Sequence, residues 1–320
     1  MEKIILFLIS IFLSINMGSS GFAVSFTPSY GSRLITKNKA VLAFTIFLLI
    51  GAIFLGPKVS KTIGEKIIDR NFITPKVALV IIISAGISLF IANLFKIPQS
   101  TSLITLSSIT GVGIFLKSLN LTFILKVLIS WILTSIIIYL IVILIFKRIY
   151  PPHNGNFNIY ERLHKNKKIF TWFVLLTDFY SAFSVGANNV ANVVGPISTA
   201  NIISTKYGLI LFSFGFGLGA SLLGKKVLNT ISNEIIPIGL VSATILSLII
   251  STVIVIFSII GLPAPYVQFS SIAILAIYSI KEGFGYTHFL KNKIFRRLIY
   301  IWFITPFISI LISFVIMNFI

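Results

Sequence analysis

The residues best able to do chemistry in this chain are amides and hydroxyls set inside apolar sequence. The stretch Ser184-Val185-Gly186-Ala187-Asn188-Asn189-Val190-Ala191-Asn192-Val193-Val194-Gly195-Pro196 places three Asn within five residues, beside the helix breakers Gly186, Gly195 and Pro196. An amide in apolar surroundings is costly unless it is bonded. Small residues let a helix unwind there and expose N–H groups, which is tolerated at membrane depth only where the backbone is covered or lines a cavity. Such a stretch suits a buried polar ligand. The same residues could also serve as glue between helices.

A second constellation begins at Pro98-Gln99-Ser100-Thr101-Ser102 and continues through Thr105, Ser107, Ser108 and Thr110. Proline followed by hydroxyl residues suits a helix start, with Ser100 or Thr101 as the cap. A helix start at membrane depth offers free N–H groups and the positive end of a dipole, both suited to an anion. The alternative is that these hydroxyls bond back to their own helix. A less polar counterpart, Pro263-Ala264-Pro265-Tyr266-Val267-Gln268-Phe269-Ser270-Ser271, offers Gln268 and Ser270.

Asp178, two turns before Gly186, is the ionisable side chain deepest in an apolar run. It fits a proton-coupling acid, since intramembrane acids are commonly functional. It also fits an acid near the start of a helix, ten residues after Lys168. Catalysis finds little support. Aspartyl proteolysis needs a second carboxylate, a zinc protease needs H-E-x-x-H, and His153, His164 and His288 all fall in polar segments. The chain has no Cys, which removes disulfides, thiolate metal sites and thiol nucleophiles. No enzyme activity, metal or cofactor is expected.

The elements that must position these residues follow from composition. Of 320 residues, 57% are hydrophobic and 10% charged, and the mean hydropathy is +1.05. A soluble domain is roughly half apolar and about a quarter charged. The polar residues are too few to cover a water-facing globule, so a polytopic membrane protein is implied. Lys and Arg number 26 against 7 Asp and Glu. Most flank apolar runs, where topology and anionic lipid favour them, so nucleic acid is not an expected partner.

Charge-free runs cover Ile4–Ser32, Ala40–Pro57, Val77–Phe95, Ile97–Leu116 and Val127–Phe146; a second series lies between Ile169 and Ile320. The run Ile235–Ile280 is too long for one span and divides at Gly261-Leu262-Pro263-Ala264-Pro265. At roughly 20 residues per span, about ten membrane segments result. Uninterrupted runs favour helices over a barrel of alternating strands. The Lys3, apolar stretch and Gly18–Gly21 also resemble a signal peptide, but a second apolar stretch follows.

GPKVSKTI (Gly56–Ile63) matches GKKVLNTI (Gly224–Ile231) at an offset of 168 residues, and the same offset carries Gly18 onto Gly186. Each half reads as a helix with a Gly-rich break, a helix, a basic loop, a helix, a Pro-broken segment and a closing helix. An odd number of crossings per half inserts the halves with opposite orientation, the inverted-repeat plan of secondary transporters. The expected organisation is a first membrane repeat at 1–147, a basic linker at 148–168 and a second repeat at 169–320. The fold class is all-α and polytopic, with two inverted repeats and broken or re-entrant helices.

These motifs resemble the inorganic phosphate transporter (PiT) family. GANNVANVVGP looks like its G-x-N-D-V-A-N-x-x-G-P signature, IPQSTS resembles its P-x-S-T-T segment, and the two GxKV stretches look like its G-x-x-V-x-x-T-I loops. The resemblance places the second-repeat Asn, Asp and Asn on Asn188, Asn189 and Asn192. The first-repeat equivalents are Ser20, Gly21 and Val24. Both signature aspartates are therefore replaced, and the His that follows S-T-T falls on Leu103, with Gln268 as its second-repeat equivalent. These departures resemble the CysP-type sulfate-permease branch. The resemblance implies substrate contacts from Asn188, Asn189, Asn192, Ser100, Thr101, Ser102, Ser20, Gln268 and Ser270.

The departures have a chemical sense. In the family the aspartates are expected to help hold sodium; Gly21 and Asn189 carry no charge, so a proton is the more natural coupling ion, with Asp178 as its carrier. Phosphate near neutral pH keeps a P–OH that needs an acceptor, whereas sulfate needs only donors. The expected function is secondary-active import of a tetrahedral oxyanion, sulfate ahead of phosphate, across the plasma membrane. The expected partners are that anion, the coupling ion and the bilayer, and the plan leaves room for a homodimer.

Six basic residues against one Glu make Lys147–Lys168 hard to translocate, so this segment should be cytoplasmic and both termini extracytoplasmic. Single cysteines placed in the segment and near Ile320 check this. An impermeant thiol reagent should label the second in intact cells and spare the first.

Overall fold

The computed structural model describes residues 2–94, 99–234, 239–282 and 293–319. Pro98 and His288 lie outside the described residues. The described residues form α1 (Glu2–Gly31), α2 (Lys37–Glu65), α3 (Pro75–Leu94), α4 (Thr101–Phe115), α5 (Leu121–Ile149), α6 (Phe157–Lys165), α7 (Lys167–Asn189), α8 (Ala191–Thr199), α9 (Thr205–Glu234), α10 (Gly239–Ile260), α11 (Tyr266–Glu282) and α12 (Lys293–Met317). Six helical stretches are long and apolar enough to cross a membrane: α1, α2, α5, α7 with α8, part of α9, and α10. Shorter apolar helices lie at Pro75–Ile91, Thr101–Phe115, Tyr266–Ile280 and Phe303–Met317. The fold is an all-helical polytopic membrane protein.

Local chemistry sets the ends. Pro75 opens α3, where its missing N–H costs nothing. Ser100 and Asn120 cap α4 and α5, their side chains accepting the N–H of Leu103 and Phe123. Gly261 follows α10 at φ +81°, a left-handed position that lets the chain turn out of the helix. The expected division at Gly261–Pro265 therefore separates α10 from α11.

Two expected breaks are helical instead. GPKVSKTI lies inside α2 and GKKVLNTI inside α9, rather than in basic loops. Pro57 removes one backbone bond, and packing holds the rest of the turn: Val59, Thr62 and Ile63 are buried and Gly64 abuts Thr199. Likewise α1 runs unbroken through Gly18–Gly21.

In lipid the apolar effect cannot sort helix faces, so close packing of small residues does. Helix α1 lies along α9, and α7 along α2. At the first crossing, a Cβ on Gly18 would stand 2.2 Å from the Phe216 carbonyl oxygen, and one on Gly219 1.9 Å from that of Ile15. At the second, a Cβ on Gly186 would stand 1.9 Å from the Leu48 oxygen, and one on Gly51 2.0 Å from that of Phe183. Around this centre α4 packs on α12 and α5 on α11. The buried stripe of α5 (Val127, Trp131, Ser135, Ile138, Val142, Phe146) faces inward, while Ile129, Ile132, Ile136 and Leu140 are exposed on the opposite face.

The linker between α5 and α7 is a compact knot. Asn156, buried, donates to the carbonyls of Arg148, Ile149 and Pro151, and Tyr160 of α6 donates to that of Ile149. A topology-reporting cysteine is better placed at the exposed Asn154 than at Asn156.

The crossings set a stability prediction. Gly186→Ala and Gly219→Ala should each force two helices apart, at about 1–3 kcal/mol or more for overpacking. Gly86→Ala, whose Cβ would meet nothing within 4 Å, should be neutral or slightly stabilising. Thermal unfolding in detergent, followed by loss of the monodisperse peak, separates the two outcomes.

Candidate anion-binding site

The Asn-rich stretch stays helical further than its breakers suggest. Helix α7 continues through Asn188 and Asn189, a one-residue interruption falls at Val190, and α8 carries Gly195 and Pro196 inside it. Pro196 has no N–H to give the Asn192 carbonyl, which marks the weak point of the turn. Gly195 allows the backbone of α2 at Ser60 and the Ile63 side chain to approach. The interruption is thus confined to Val190, without a long unwound segment.

Asn188 is fully buried and all four of its amide hydrogen bonds are made. Its Nδ2 donates to Ser258 Oγ at 3.0 Å and to the Leu262 carbonyl at 3.1 Å. Its Oδ1 accepts the Ala264 N–H at 2.9 Å and the Ser102 hydroxyl at 3.3 Å. Asn192 Nδ2 donates to Thr101 Oγ1 and Ser102 Oγ, both at 3.1 Å. Ser102 thus bridges the two amides. Ser100, the cap of α4, accepts the Leu103 N–H at 3.4 Å.

The two short helices therefore begin at one place. The start of α4 (Ser100–Ser102) and the approach to α11 (Leu262–Ala264) are both tied to the α7–α8 junction. Trp131 of α5 donates its indole N–H to the Pro263 carbonyl at 2.9 Å, and Ser309 of α12 donates to the Ile104 carbonyl at 3.1 Å. No Lys, Arg, Asp or Glu of the described residues joins this network.

Several polar atoms beside it lack partners. The Oδ1 atoms of Asn189 and Asn192 are buried and unbonded, as are Thr105 Oγ1 and both amide atoms of Gln99. Buried polar atoms are normally bonded, so these residues hold unmet hydrogen-bonding capacity.

The other expected residues lie elsewhere. Ser20 donates to the Met17 carbonyl of its own helix, and Ser270 to that of Tyr266. Gln268 lines a separate cavity between α4, α5, α11 and α12. Asp178 is fully buried three turns into α7, not near its start; the Ser29 N–H of α1 donates to its Oδ2 at 3.0 Å. One turn further on, Ser181 and Tyr266 share a hydrogen bond of 3.1 Å. Tyr266 opens α11, two residues after the Ala264 N–H that Asn188 holds.

Sequence reasoning missed Ser258, Trp131 and Tyr266. Ser258 is an isolated hydroxyl near the end of an apolar helix. The indole and phenol are polar tips in apolar runs, which seek partners when buried. Those were the available signals.

The fold and this charge-free polar junction define a membrane transporter. Comparison with known proteins specifies which kind. The model of the phosphate transporter family (PHO4) matches residues 17–313. The sulfate permease CysP of Bacillus subtilis is 32% identical over 97% of this chain and 86% of its own length. A putative phosphate permease of Methanocaldococcus jannaschii is 27% identical over 97% and 95%. A solved sodium-dependent phosphate transporter superposes with a TM-score of 0.80 at 19% identity, covering 100% of this chain and 99% of that one, which shows a shared fold. The chain belongs to the phosphate transporter family. It is a multi-pass protein of the plasma membrane and an anion permease.

Two neighbouring amides should now behave differently. Asn188→Ala removes four bonds and leaves the Ala264 N–H and Leu262 carbonyl unpaired, at about 1–3 kcal/mol per orphaned group. It should lower thermal stability as well as transport. Asn189→Ala removes no protein hydrogen bond, so stability should hold while the apparent substrate affinity falls about ten- to a hundred-fold. Paired thermal-shift and uptake measurements resolve the two.

Proposed function

We propose that this protein imports a tetrahedral oxyanion, sulfate in the first place, by secondary active transport with a proton as the coupling ion. The observation that carries this reading is the junction itself. Two helix starts and neutral amides and hydroxyls meet at one buried point that contains no charged side chain among the described residues. Helix starts favour anions through free N–H groups and dipole. An oxyanion can be held there by neutral donors, as befits one that must also be released. On this reading Asn188, Asn192, Thr101 and Ser102 shape the site, and Asn189, Ser100 and Gln99 reach the anion. Ser20, Gln268 and Ser270 belong to it only in another state of the transport cycle.

The missing carboxylates favour sulfate, because Gly21 and Asn189 remove the anionic repulsion that the family's aspartates would impose. The Bacillus subtilis relative, named a sulfate permease, points the same way. One observation favours phosphate as the second reading: the free Oδ1 atoms of Asn189 and Asn192 are acceptors that a P–OH could use. Half a turn of either amide presents Nδ2 instead. The amides can therefore serve both anions, whereas a carboxylate could only accept.

We further infer two inverted repeats, 1–147 and 169–320, with about ten membrane segments joined by the 148–168 linker. The glycine crossings support this. Gly18 meets Phe216 and Gly186 meets Leu48; Gly219 meets Ile15 and Gly51 meets Phe183. Each contact maps onto the other of its pair when residues 15, 18, 48 and 51 are advanced by 168. The exchange of partners between α1–α9 and α7–α2, and between α4–α12 and α5–α11, follows the same rule.

Asp178 is the proposed proton carrier. Its carboxylate has one backbone donor and a second, unbonded oxygen, with no basic side chain against it among the described residues. Its protonation can reach the anion site through Ser181 and Tyr266, which leads into the Pro263–Pro265 bend held by Asn188. The same geometry could hold a small cation, which makes the gradient experiment decisive.

Labelled sulfate and phosphate uptake into proteoliposomes, with proton and sodium gradients imposed separately, tests the function. Sulfate should accumulate on an inward proton gradient without sodium and be taken up in preference to phosphate. Equal uptake of both anions would refute the selectivity. Asp178→Asn should lose proton-driven accumulation and keep counterflow exchange, since exchange needs no net proton release. Asn189→Asp should cut sulfate uptake severely by placing a negative charge beside the anion.

A further inference from the structure

Behind the anion junction lies a second cavity, of about 490 Å³, between α4, α5, α11 and α12. That volume falls within the ~300–1,000 Å³ of small-molecule sites. Its rim is apolar and open: Ile132 is 56% exposed, Phe303 69% and Phe307 64%. These residues lie on apolar helices of a membrane protein, so the opening faces hydrocarbon and not water. Its inner end is formed by Leu103, Leu106, Trp131, Pro265 and Gln268.

Gln268 makes this cavity more than a gap between helices. It is 4% exposed, and neither its Oε1 nor its Nε2 has a hydrogen-bond partner. A primary amide with both polar atoms unbonded is complementary in its hydrogen-bonding groups to a carboxylic acid. The acid O–H donates to Oε1 while the acid carbonyl accepts from Nε2, in a paired ring of two bonds. Among the described residues the lining holds no charged side chain, which suits a neutral acid. An apolar channel leading from the bilayer to such an amide suits a long alkyl chain ending in a protonated carboxyl.

We propose that this cavity binds an uncharged, single-chain amphiphile from the bilayer, a protonated long-chain fatty acid, with its head on Gln268 and its chain between α5 and α12. The site is placed to act on transport. Leu103 and Pro265 form its inner wall, and each directly follows a residue whose polar atom is bonded to Asn188, Ser102 and Ala264 respectively. A molecule in the cavity braces the first turns of α4 and α11 against each other, and so resists any movement that opens the anion junction.

The test uses the full-length protein in proteoliposomes and a diazirine-bearing palmitic acid as photoprobe, with labelled sites mapped by mass spectrometry. Label should concentrate on Leu106, Ile132, Phe303 and Phe307. Excess palmitic acid should compete at least ten-fold better than its methyl ester, which cannot donate a hydrogen bond. Gln268→Leu should erase that preference. Ile132→Trp, a change on the exposed face that does not disturb the core, should plug the mouth and cut the label at Leu106 and Phe303 about ten-fold. Label spread evenly along the outer face of α5, including Ile136 and Leu140, and unmoved by Ile132→Trp would identify ordinary boundary lipid and overturn the site. So would equal competition by acid and ester. These labelling outcomes do not depend on which anion is carried. Where uptake is measurable, palmitic acid should slow it in the unmodified protein and not in Ile132→Trp.

Discussion

The Asn188 amide is the interaction on which the rest of the arrangement depends. It sits where no water can reach, and its four hydrogen bonds end on three pieces of chain: the α10 hydroxyl of Ser258, the bend at Leu262 and Ala264, and the first turn of α4 at Ser102. In hydrocarbon an irregular bend must have its backbone groups satisfied internally. Asn188 does this for the 261–265 bend from outside its own chain segment. The two short helices can therefore begin side by side at this buried point.

That amide can reach its partners because the helices behind it are close. With Gly186 two residues earlier pressed against the Leu48 carbonyl, α7 is seated on α2 with no side chain between them. The counterpart crossing of α1 on α9 uses Gly18 and Gly219 in the same way. Lipid tails are as apolar as Leu, so these contacts, not hydrophobic burial, decide which faces meet. The anion junction inherits its geometry from two glycine crossings.

On the proposed repeat plan, the two halves share this frame but have divided the chemistry. The stretch at Asn188–Asn192 carries amides, while the corresponding Ser20, Gly21 and Val24 of α1 carry almost none; Ser20 is spent on its own helix. The hydroxyls of Thr101 and Ser102 in the first half answer the amides of the second. At the equivalent helix start in the second half stand Pro265 and Tyr266, which lead instead toward Ser181 and Asp178. On the proposed function, one side of the junction would take the anion and the other the group that drives it.

Membrane class, helical character and the break at 261–265 were legible in the sequence, because each depends on composition or on Pro and Gly acting locally. The amides of Asn188 and Asn192, and Thr101 and Ser102, were legible as polar residues where polarity is costly. Only the tertiary structure decided which of them met. Helices α3 and α4 have no one-sided apolar stripe, so no periodicity says which face turns inward, and a hydroxyl can bond its own helix as readily as a partner. Ser20 and Ser270 took the first course and Ser102 the second. The GxKV stretches looked like loops for the same reason: Pro and Lys weaken a helix locally, but contacts of Val59 and Gly64 with distant residues carried it through. Asp178 looked close to an interface in sequence distance. Its burial against Ser29 was set by the packing of α1 on α7, which no spacing along the chain records.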